Sequence, residues 1–165
     1  MAAAPPIAVS HPRRITGVLL LVGRAALGAI LIYAAYAKLH FNGAWHLRDY
    51  NFIFAIGIDS YQMLPLWAVS WLALVLPWTE LALGLLLIAG IGLRWVASIT
   101  TALLVVFMIA LTRAVILGLA INCGCFGESS TNPAKELILD GVFLLVALAV
   151  TVGAFSSHRA RRLPA

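Results

Sequence analysis

Four long apolar runs dominate the sequence and constrain its fold more than any other feature. They cover residues 15–37, 67–91, 96–121 and 137–155. Each run is close to or longer than the roughly 20 residues that a helix needs to cross the hydrocarbon core of a bilayer. A strand of a membrane barrel would be about ten residues long with alternating polarity, and the runs have neither property. They predict helices, whose backbone polar groups bond within the segment.

The composition agrees with a chain that lies in the lipid bilayer and excludes several soluble classes. Hydrophobic residues make up 63% of the 165 residues and charged residues 10%, against roughly 45–50% and about 25% in soluble proteins. So few charges cannot cover the surface of a small soluble domain. We therefore exclude a soluble enzyme, a nucleic-acid-binding protein and a disordered tail, and predict an all-α integral membrane protein, a four-transmembrane-helix bundle.

The basic residues predict how the bundle is oriented in the cell (inner or plasma) membrane. The formal net charge is +5, but the basic residues stand mostly between and beyond the apolar runs, which is typical of topology signals. Both termini are predicted in the cytoplasm, with a tail at 1–14, a membrane domain at 15–155 and a basic tail at 156–165. The cytoplasmic side would hold Arg13, Arg14, Arg94, Arg159, Arg161 and Arg162, and the outer side only Lys38, Arg48 and Lys135.

The first apolar run also has features of a signal peptide. Arg13 and Arg14 precede it, and the small residues at 35–37 resemble a cleavage site. The run is long for a signal core and contains Arg24, so we expect it to be retained as a span.

The outer loop between spans one and two contains aromatic residues mixed with charged ones. Residues 44–58 fit a short helix lying in the membrane interface, and the alternative is a loop that contributes to an aromatic belt. We favour the interfacial helix. The turn at residues 90–94 is short, which predicts that spans two and three are antiparallel neighbours.

Both cysteines of the chain, Cys123 and Cys125, lie at the predicted outer end of the third span, where disulfides persist. A disulfide across Cys-Gly-Cys closes a very small ring, and Gly124 allows the backbone angles that this ring requires. Such a ring departs from relaxed geometry and adds little stability. Strained and exposed pairs are the labile and catalytic ones. We therefore interpret the pair as catalytic, with the surrounding loop residues as support: Asn122, Gly124, Phe126 and Gly127.

Two other interpretations of the cysteine pair stay open. Two thiolates select soft ions such as Cu(I), and His40 and His46 would face the same side, although neither is close in sequence. The pair could also be an inert structural feature. We predict no metal site.

Over roughly residues 14–155 the sequence resembles the MauE family of DoxX-like membrane proteins. The Cys-Gly-Cys-Phe-Gly string is the most specific part of the likeness, and the Leu-Pro-Trp-Thr-Glu-Leu string at 76–81 and the segment from Gly23-Arg24 to Ala37-Lys38-Leu39 add to it. The resemblance implies a four-helix, redox-associated membrane protein. MauE is linked to disulfide formation in an exported dehydrogenase subunit, and DoxX relatives to electron transfer into the quinone pool. The family also resembles the bundle of vitamin K epoxide reductase-type enzymes, but this chain lacks their Cys-x-x-Cys and second cysteine pair.

Three charged residues fall inside the apolar runs, and intramembrane charges are functional candidates by default. Arg24 and Glu80 lie equally far from the outer ends of their spans, about 20 Å deep, which predicts an Arg24–Glu80 pair. Arg113 would lie about 12 Å deep, within reach of Glu80 or a headgroup. Such charges either fix how helices align or form a proton path or polar wall for a quinone. Pro77 predicts a kink near Glu80.

Span four has a clear start, with Asn132 as N-cap and Pro133 at the first helical position. The positive end of this helix would stabilise a nearby thiolate. Asp140 is interpreted as an interfacial carboxylate, with a proton acceptor as the alternative. Small residues allow close helix contacts, and the candidates for them are Gly17, Gly28, Gly84 and Gly118.

These observations predict a membrane thiol–disulfide oxidoreductase. A thiol of an exported protein, or of a thioredoxin-like protein, would exchange with the Cys123–Cys125 disulfide, and quinone is the candidate cofactor near Arg113 and Glu80. Electron flow in the reverse direction, from the membrane to an outer thioredoxin-like partner, fits the residues equally well. Two alternatives remain: a non-catalytic membrane subunit or anchor of a redox complex, and a copper-handling protein.

Overall fold

The computed structural model describes residues 11–41, 44–45, 52–119 and 133–160, and five helices and one short strand pair make up that part of the chain. The strands pair antiparallel, His40 opposite Trp45 and Phe41 opposite Ala44. In chain order the elements are α1 (His11–Leu39), β1 (His40–Phe41), β2 (Ala44–Trp45), α2 (Phe52–Asp59), α3 (Leu66–Ala89), α4 (Leu93–Ile116) and α5 (Pro133–Ala160).

Four of the helices are long and apolar enough to cross a membrane, which confirms the predicted fold class. The spanning segments are Gly17–Leu39, Leu66–Ala89, Leu93–Ile116 and Lys135–Ser156. Many large apolar side chains on them point outward, among them Trp71, which is 65% exposed. An outward apolar surface is what a lipid environment requires, because hydrocarbon tails replace water around the bundle.

Two element boundaries differ from the sequence prediction. The short helix between spans one and two is present, but it begins at Phe52, and Ala44–Trp45 is a strand instead. Helix α4 ends at Ile116, before the predicted end at 121, because Gly118 adopts a left-handed conformation with φ of 62°. The Leu119 N–H then donates to the Ala114 carbonyl at 3.0 Å, which closes the helix end. Helix α5 begins at Pro133, as predicted.

Helices α1 and α3 pack antiparallel at a crossing of two glycines. A Cβ atom on Gly28 would lie 2.8 Å from the Gly84 carbonyl oxygen and 2.6 Å from Ile88 Cγ1. A Cβ on Gly84 would meet the Gly28 carbonyl oxygen at the same 2.8 Å. The two backbones therefore approach as closely as only glycine permits.

The other helices complete the bundle around this crossing. Helix α4 packs along α5, and α2 packs on the first turns of α3 through a small cluster of Ala55, Val69 and Ala73. The predicted tight turn between α3 and α4 is present, with Gly90 and Gly92 both at positive φ. The main core joins all four long helices through Leu27, Leu31, Leu83, Leu87, Val96, Ala97, Leu104, Ala147 and Val150.

The two ends of the bundle are named here by their landmarks. The α2 end carries α2, the last turns of α1 and α4 and the first turn of α5. The Gly90 end carries the α3–α4 turn. By the sequence prediction, the α2 end faces outward and the Gly90 end faces the cytoplasm.

Candidate functional site

A buried ion pair joins the end of α1 to the middle of α3. Lys38 Nζ lies 2.8 Å from Glu80 Oε2 and 3.0 Å from Oε1, and both side chains are 2% exposed. The same ammonium group lies 3.5 Å from the Ala34 carbonyl and 5.6 Å from the ring centre of Phe54 on α2. A charge pair held away from water in this way has a strong mutual attraction but a large desolvation cost.

The predicted Arg24–Glu80 pair is wrong, because it assumed that spans one and two are level at their outer ends. In the structure α3 extends beyond the end of α1, and this added length is covered by α2. Glu80 therefore lies opposite Lys38, at the last turn of α1. Arg24 lies instead against Gly90, where a Cβ atom would be 2.6 Å from Arg24 Nη1.

Arg113 also lies apart from Glu80. It is exposed on the last turn of α4, and its Nη1 donates to the carbonyls of Tyr61 and Gln62 at 3.2 and 3.3 Å. These hydrogen bonds join the connection between α2 and α3 to the last turn of α4. The structure thus separates the three intramembrane charges that the sequence suggested as one site.

Two residues of the site had other interpretations in the sequence. The sequence predicts Lys38 as a topology charge of the outer loop, yet only 4% of it is exposed. Leu39 after it continues the apolar run, and this was the signal that the helix includes Lys38. The sequence favours Asp140 as an interfacial carboxylate, but in the structure it is 7% exposed and lines the same cavity as Lys38.

This cavity lies at the α2 end and has a volume of about 240 Å³. Its walls are almost entirely apolar, and the apolar side chains come from α2, the α2–α3 connection, α3 and α4. Lys38 and Asp140 supply the charged groups in the wall. The apolar lining residues include Phe54, Ile58, Met63, Leu72, Leu76, Val106, Phe107 and Leu111. An apolar cavity with a few convergent polar groups is the usual form of a small-molecule site.

A scan against family models matches the chain over residues 16–153 to MauE, described as methylamine utilisation protein MauE. The chain belongs to the MauE family. It is therefore a multi-pass membrane protein of a family tied to methylamine utilisation and broadly associated with redox chemistry. A search of curated proteins and a search of solved structures found no match.

The cysteine loop of this MauE-family chain lies outside the described residues. That includes Cys123 and Cys125 and their supporting residues Asn122, Gly124, Phe126 and Gly127. Their assignment stays a prediction from sequence. The loop is part of the connection from α4 to α5, and both helices also line the Lys38–Asp140 cavity.

Within 11–41, 44–45, 52–119 and 133–160, no three His, Cys, Asp or Glu side chains come together as a candidate metal site. What the described site offers is a buried cation fixed by a carboxylate, a second carboxylate, and apolar walls. Such an arrangement can bind the polar group of an otherwise apolar small molecule by hydrogen bonds and can exchange a proton with that group.

Proposed function

We propose that this MauE-family chain is a membrane thiol–disulfide oxidoreductase that passes electrons from thiols of an exported partner protein to a membrane quinone. Cys123 and Cys125 would form the reactive pair. The observation that carries the proposal is the apolar cavity with Lys38 and Asp140 in its wall. The chain connection that bears both cysteines begins and ends on α4 and α5, which line this cavity.

The first half of the reaction is thiol–disulfide exchange. A thiolate of the partner attacks the Cys123–Cys125 disulfide and forms a mixed disulfide, while one cysteine leaves as a thiolate. The partner's second thiolate then attacks the mixed disulfide. The partner leaves with a disulfide, and Cys123 and Cys125 are left as two thiols that hold two electrons.

The second half returns the pair to the disulfide. The two thiols lose two electrons and two protons and form the sulfur–sulfur bond again, while a quinone gains both and becomes a quinol. The apolar walls of the cavity suit the ring and its apolar substituents. A quinone oxygen needs hydrogen-bond donors and a proton source, and Lys38 and Asp140 are the charged side chains of the wall that supply such groups. Glu80 holds Lys38 in place with two short contacts.

The test uses the full chain, purified in detergent and reduced to the dithiol, with a short-chain quinone analogue as electron acceptor. We expect the wild-type chain to convert the quinone to the quinol with matching loss of thiols. Cys123→Ser and Cys125→Ser should abolish this reaction. Asp140→Asn should slow it by about 100-fold, the scale of a lost proton-transfer group, while leaving exchange with a small disulfide reagent intact.

The matched control is Asp59→Asn, which removes an exposed carboxylate at the end of α2, at the same end of the bundle but outside the cavity wall. We expect this variant to reduce quinone at the wild-type rate. The proposal is overturned if the wild-type dithiol does not reduce the quinone, or if the double Cys→Ser variant reduces it as well as the wild type does.

A further inference from the structure

A second and larger cavity lies at the Gly90 end, and its charge is of one sign. Its volume is about 630 Å³, and its wall contains Arg24 on α1 and Arg94 on α4. Both arginines are half-buried. The wall also contains the turn glycines Gly90 and Gly92 and apolar side chains such as Leu20 and Trp95.

None of the carboxylates in the described part of the chain is placed to neutralise these arginines. The chain has six acidic residues, and the four that the structure describes belong to α2, the middle of α3 and the first turns of α5. Among the described residues, neither guanidinium has an ion pair. Arg94 instead lies over the ring of Phe155, with Cζ 5.8 Å from the ring centre. The full set of acidic residues is Asp49, Asp59, Glu80, Glu128, Glu136 and Asp140.

The backbone at this end makes room for Arg24 and adds positive potential. Gly90 has a φ of 72°, and a Cβ atom there would lie 2.6 Å from Arg24 Nη1, so the guanidinium occupies space that a glycine leaves open. Helix α4 begins at Leu93, and its N-cap, Gly92, has no side chain to cap the first N–H groups. Those groups carry the partial positive charge of a helix N-terminus toward the same end.

Topology signalling explains only part of this arrangement. Positive residues that set orientation need only flank a span, whereas Arg24 lies within the Gly17–Leu39 span. An arginine inside a span is costly unless an opposite charge or water accompanies it. The described residues supply no opposite charge to Arg24, so an anionic ligand in this cavity would provide the missing counter-charge.

We propose that the Gly90-end cavity binds the phosphate group of an anionic phospholipid between Arg24 and Arg94. The guanidinium fork matches phosphate geometry and donates two hydrogen bonds at once. A free phosphate ion shares this chemistry, but the apolar part of the wall favours a ligand with acyl chains. Leu21 and Trp95 in that wall are 54% and 74% exposed and continue onto the outer apolar surface of α1 and α4. This proposal does not depend on the cysteines or on quinone.

The experiment measures lipid binding to the purified full chain by native mass spectrometry in mild detergent. Phosphatidylglycerol is the probe, and phosphatidylcholine, inorganic phosphate and glycerol 3-phosphate are the comparisons. We expect saturable binding of one phosphatidylglycerol, tighter than that of phosphatidylcholine and unaffected by equimolar inorganic phosphate or glycerol 3-phosphate. Arg24→Gln and Arg94→Gln should each weaken it about tenfold, since each removes hydrogen bonds from a charged donor.

Two further variants keep the test decisive. Arg113→Gln removes an exposed arginine at the α2 end and should leave phosphatidylglycerol binding unchanged. Arg24→Lys keeps the charge but loses the fork and should bind with intermediate affinity, which covers the case that Arg24→Gln does not fold. The proposal is overturned if Arg94→Gln and Arg24→Lys both bind like the wild type, or if phosphatidylcholine binds equally well. Displacement of the lipid by equimolar inorganic phosphate would overturn its assignment to a lipid.

Discussion

The two ends of the bundle carry buried or half-buried cations in opposite settings. At the α2 end, Lys38 is bound to Glu80 at 2.8 Å, and Asp140 lines the same cavity of about 240 Å³. At the Gly90 end, Arg24 and Arg94 line a cavity of about 630 Å³, and no described carboxylate accompanies them. One end balances its charge internally, and the other presents unbalanced charge.

The difference between the two ends follows from how the charge of each cation is neutralised. A cation within a span needs a counter-charge or access to water. The chain provides one to Lys38 from a neighbouring helix, so the pair belongs to the packed core. Among the described residues no carboxylate accompanies Arg24, so the proposed phospholipid would supply the counter-charge of that site. Internal balance suits a site that positions a neutral substrate, and unbalanced charge suits a site that binds an anion.

One helix crossing determines the geometry of both ends. Gly28 and Gly84 bring α1 and α3 into contact between the two cavities. This contact sets Lys38 opposite Glu80 in one direction along α1 and Arg24 opposite Gly90 in the other. A change at the crossing should therefore disturb both sites, whereas a change at one end should leave the other intact.

The largest expected effect is the loss of the internal charge balance at the α2 end. Glu80→Gln should lower the free energy of unfolding by about 3–5 kcal/mol, because the buried Lys38 loses the carboxylate that contacts it at 2.8 and 3.0 Å. Reversible unfolding in mixed detergent micelles, followed by helical content, measures the loss. Lipid binding at the Gly90 end should persist in the fraction that stays folded.

Two variants serve as controls for this prediction. Asp59→Asn removes an exposed carboxylate at the end of α2 and should unfold like the wild type. The double variant Lys38→Met with Glu80→Gln removes both charges and should recover most of the lost stability. Wild-type stability of Glu80→Gln alone would show that water or another group balances Lys38.

The next effect in size comes from the crossing itself. In Gly28→Ala the new Cβ would lie 2.6 Å from Ile88 Cγ1 and 2.8 Å from the Gly84 carbonyl oxygen, so α1 and α3 have to move apart. We expect a loss of about 1–3 kcal/mol in the free energy of unfolding. Quinone reduction and phosphatidylglycerol binding should both weaken.

Gly17→Ala is the matched control for the crossing. Gly17 is on the same helix as Gly28, and a Cβ atom on it would have no neighbouring atom within 4 Å. Gly17→Ala should retain wild-type stability and quinone reduction; because Gly17 lines the Gly90-end cavity, this control does not apply to lipid binding. If Gly28→Ala impaired only one of the two sites, the crossing would not be the shared determinant of the two ends.

The fold could be predicted from sequence to the extent that hydrophobicity determines it. Four apolar runs predicted four spanning helices, Pro133 predicted the start of α5, and the short loop at residues 90–94 predicted the α3–α4 turn. These features depend on local sequence and on the thickness of the bilayer. The end of α4 was missed because Gly118 at positive φ ends the helix inside an apolar run.

The partners of the charged residues could not be predicted in the same way. The sequence gives each charge a depth along its own helix, but not the offset between two helices. The offset of α1 and α3 depends on the Gly28–Gly84 contact and on α2 covering the start of α3. For that reason Glu80 was assigned to Arg24 and not to Lys38. The burial of Asp140 likewise depends on which face α5 turns toward α1 and α4. The role of Cys123 and Cys125 still depends on sequence alone.

The smallest expected effect concerns a hydrogen bond between α4 and α5 whose residues line neither cavity. Thr101 Oγ1 donates to the Ala97 carbonyl at 2.8 Å and lies 3.0 Å from Thr151 Oγ1. A hydroxyl has one proton to donate, so Thr151 is the donor between the helices. Thr101→Val should therefore remove one interhelical hydrogen bond, worth about 0.6 kcal/mol in a membrane bundle, as measured by the same unfolding assay. Thr112→Val removes a hydroxyl that donates only within α4, to Met108 at 2.6 Å, and should show no such loss. Thr101 lines neither cavity, so quinone reduction and lipid binding should both stay at wild-type levels in Thr101→Val. A change in either would mean that the α4–α5 contact, and not the α1–α3 crossing alone, determines the geometry of the two ends.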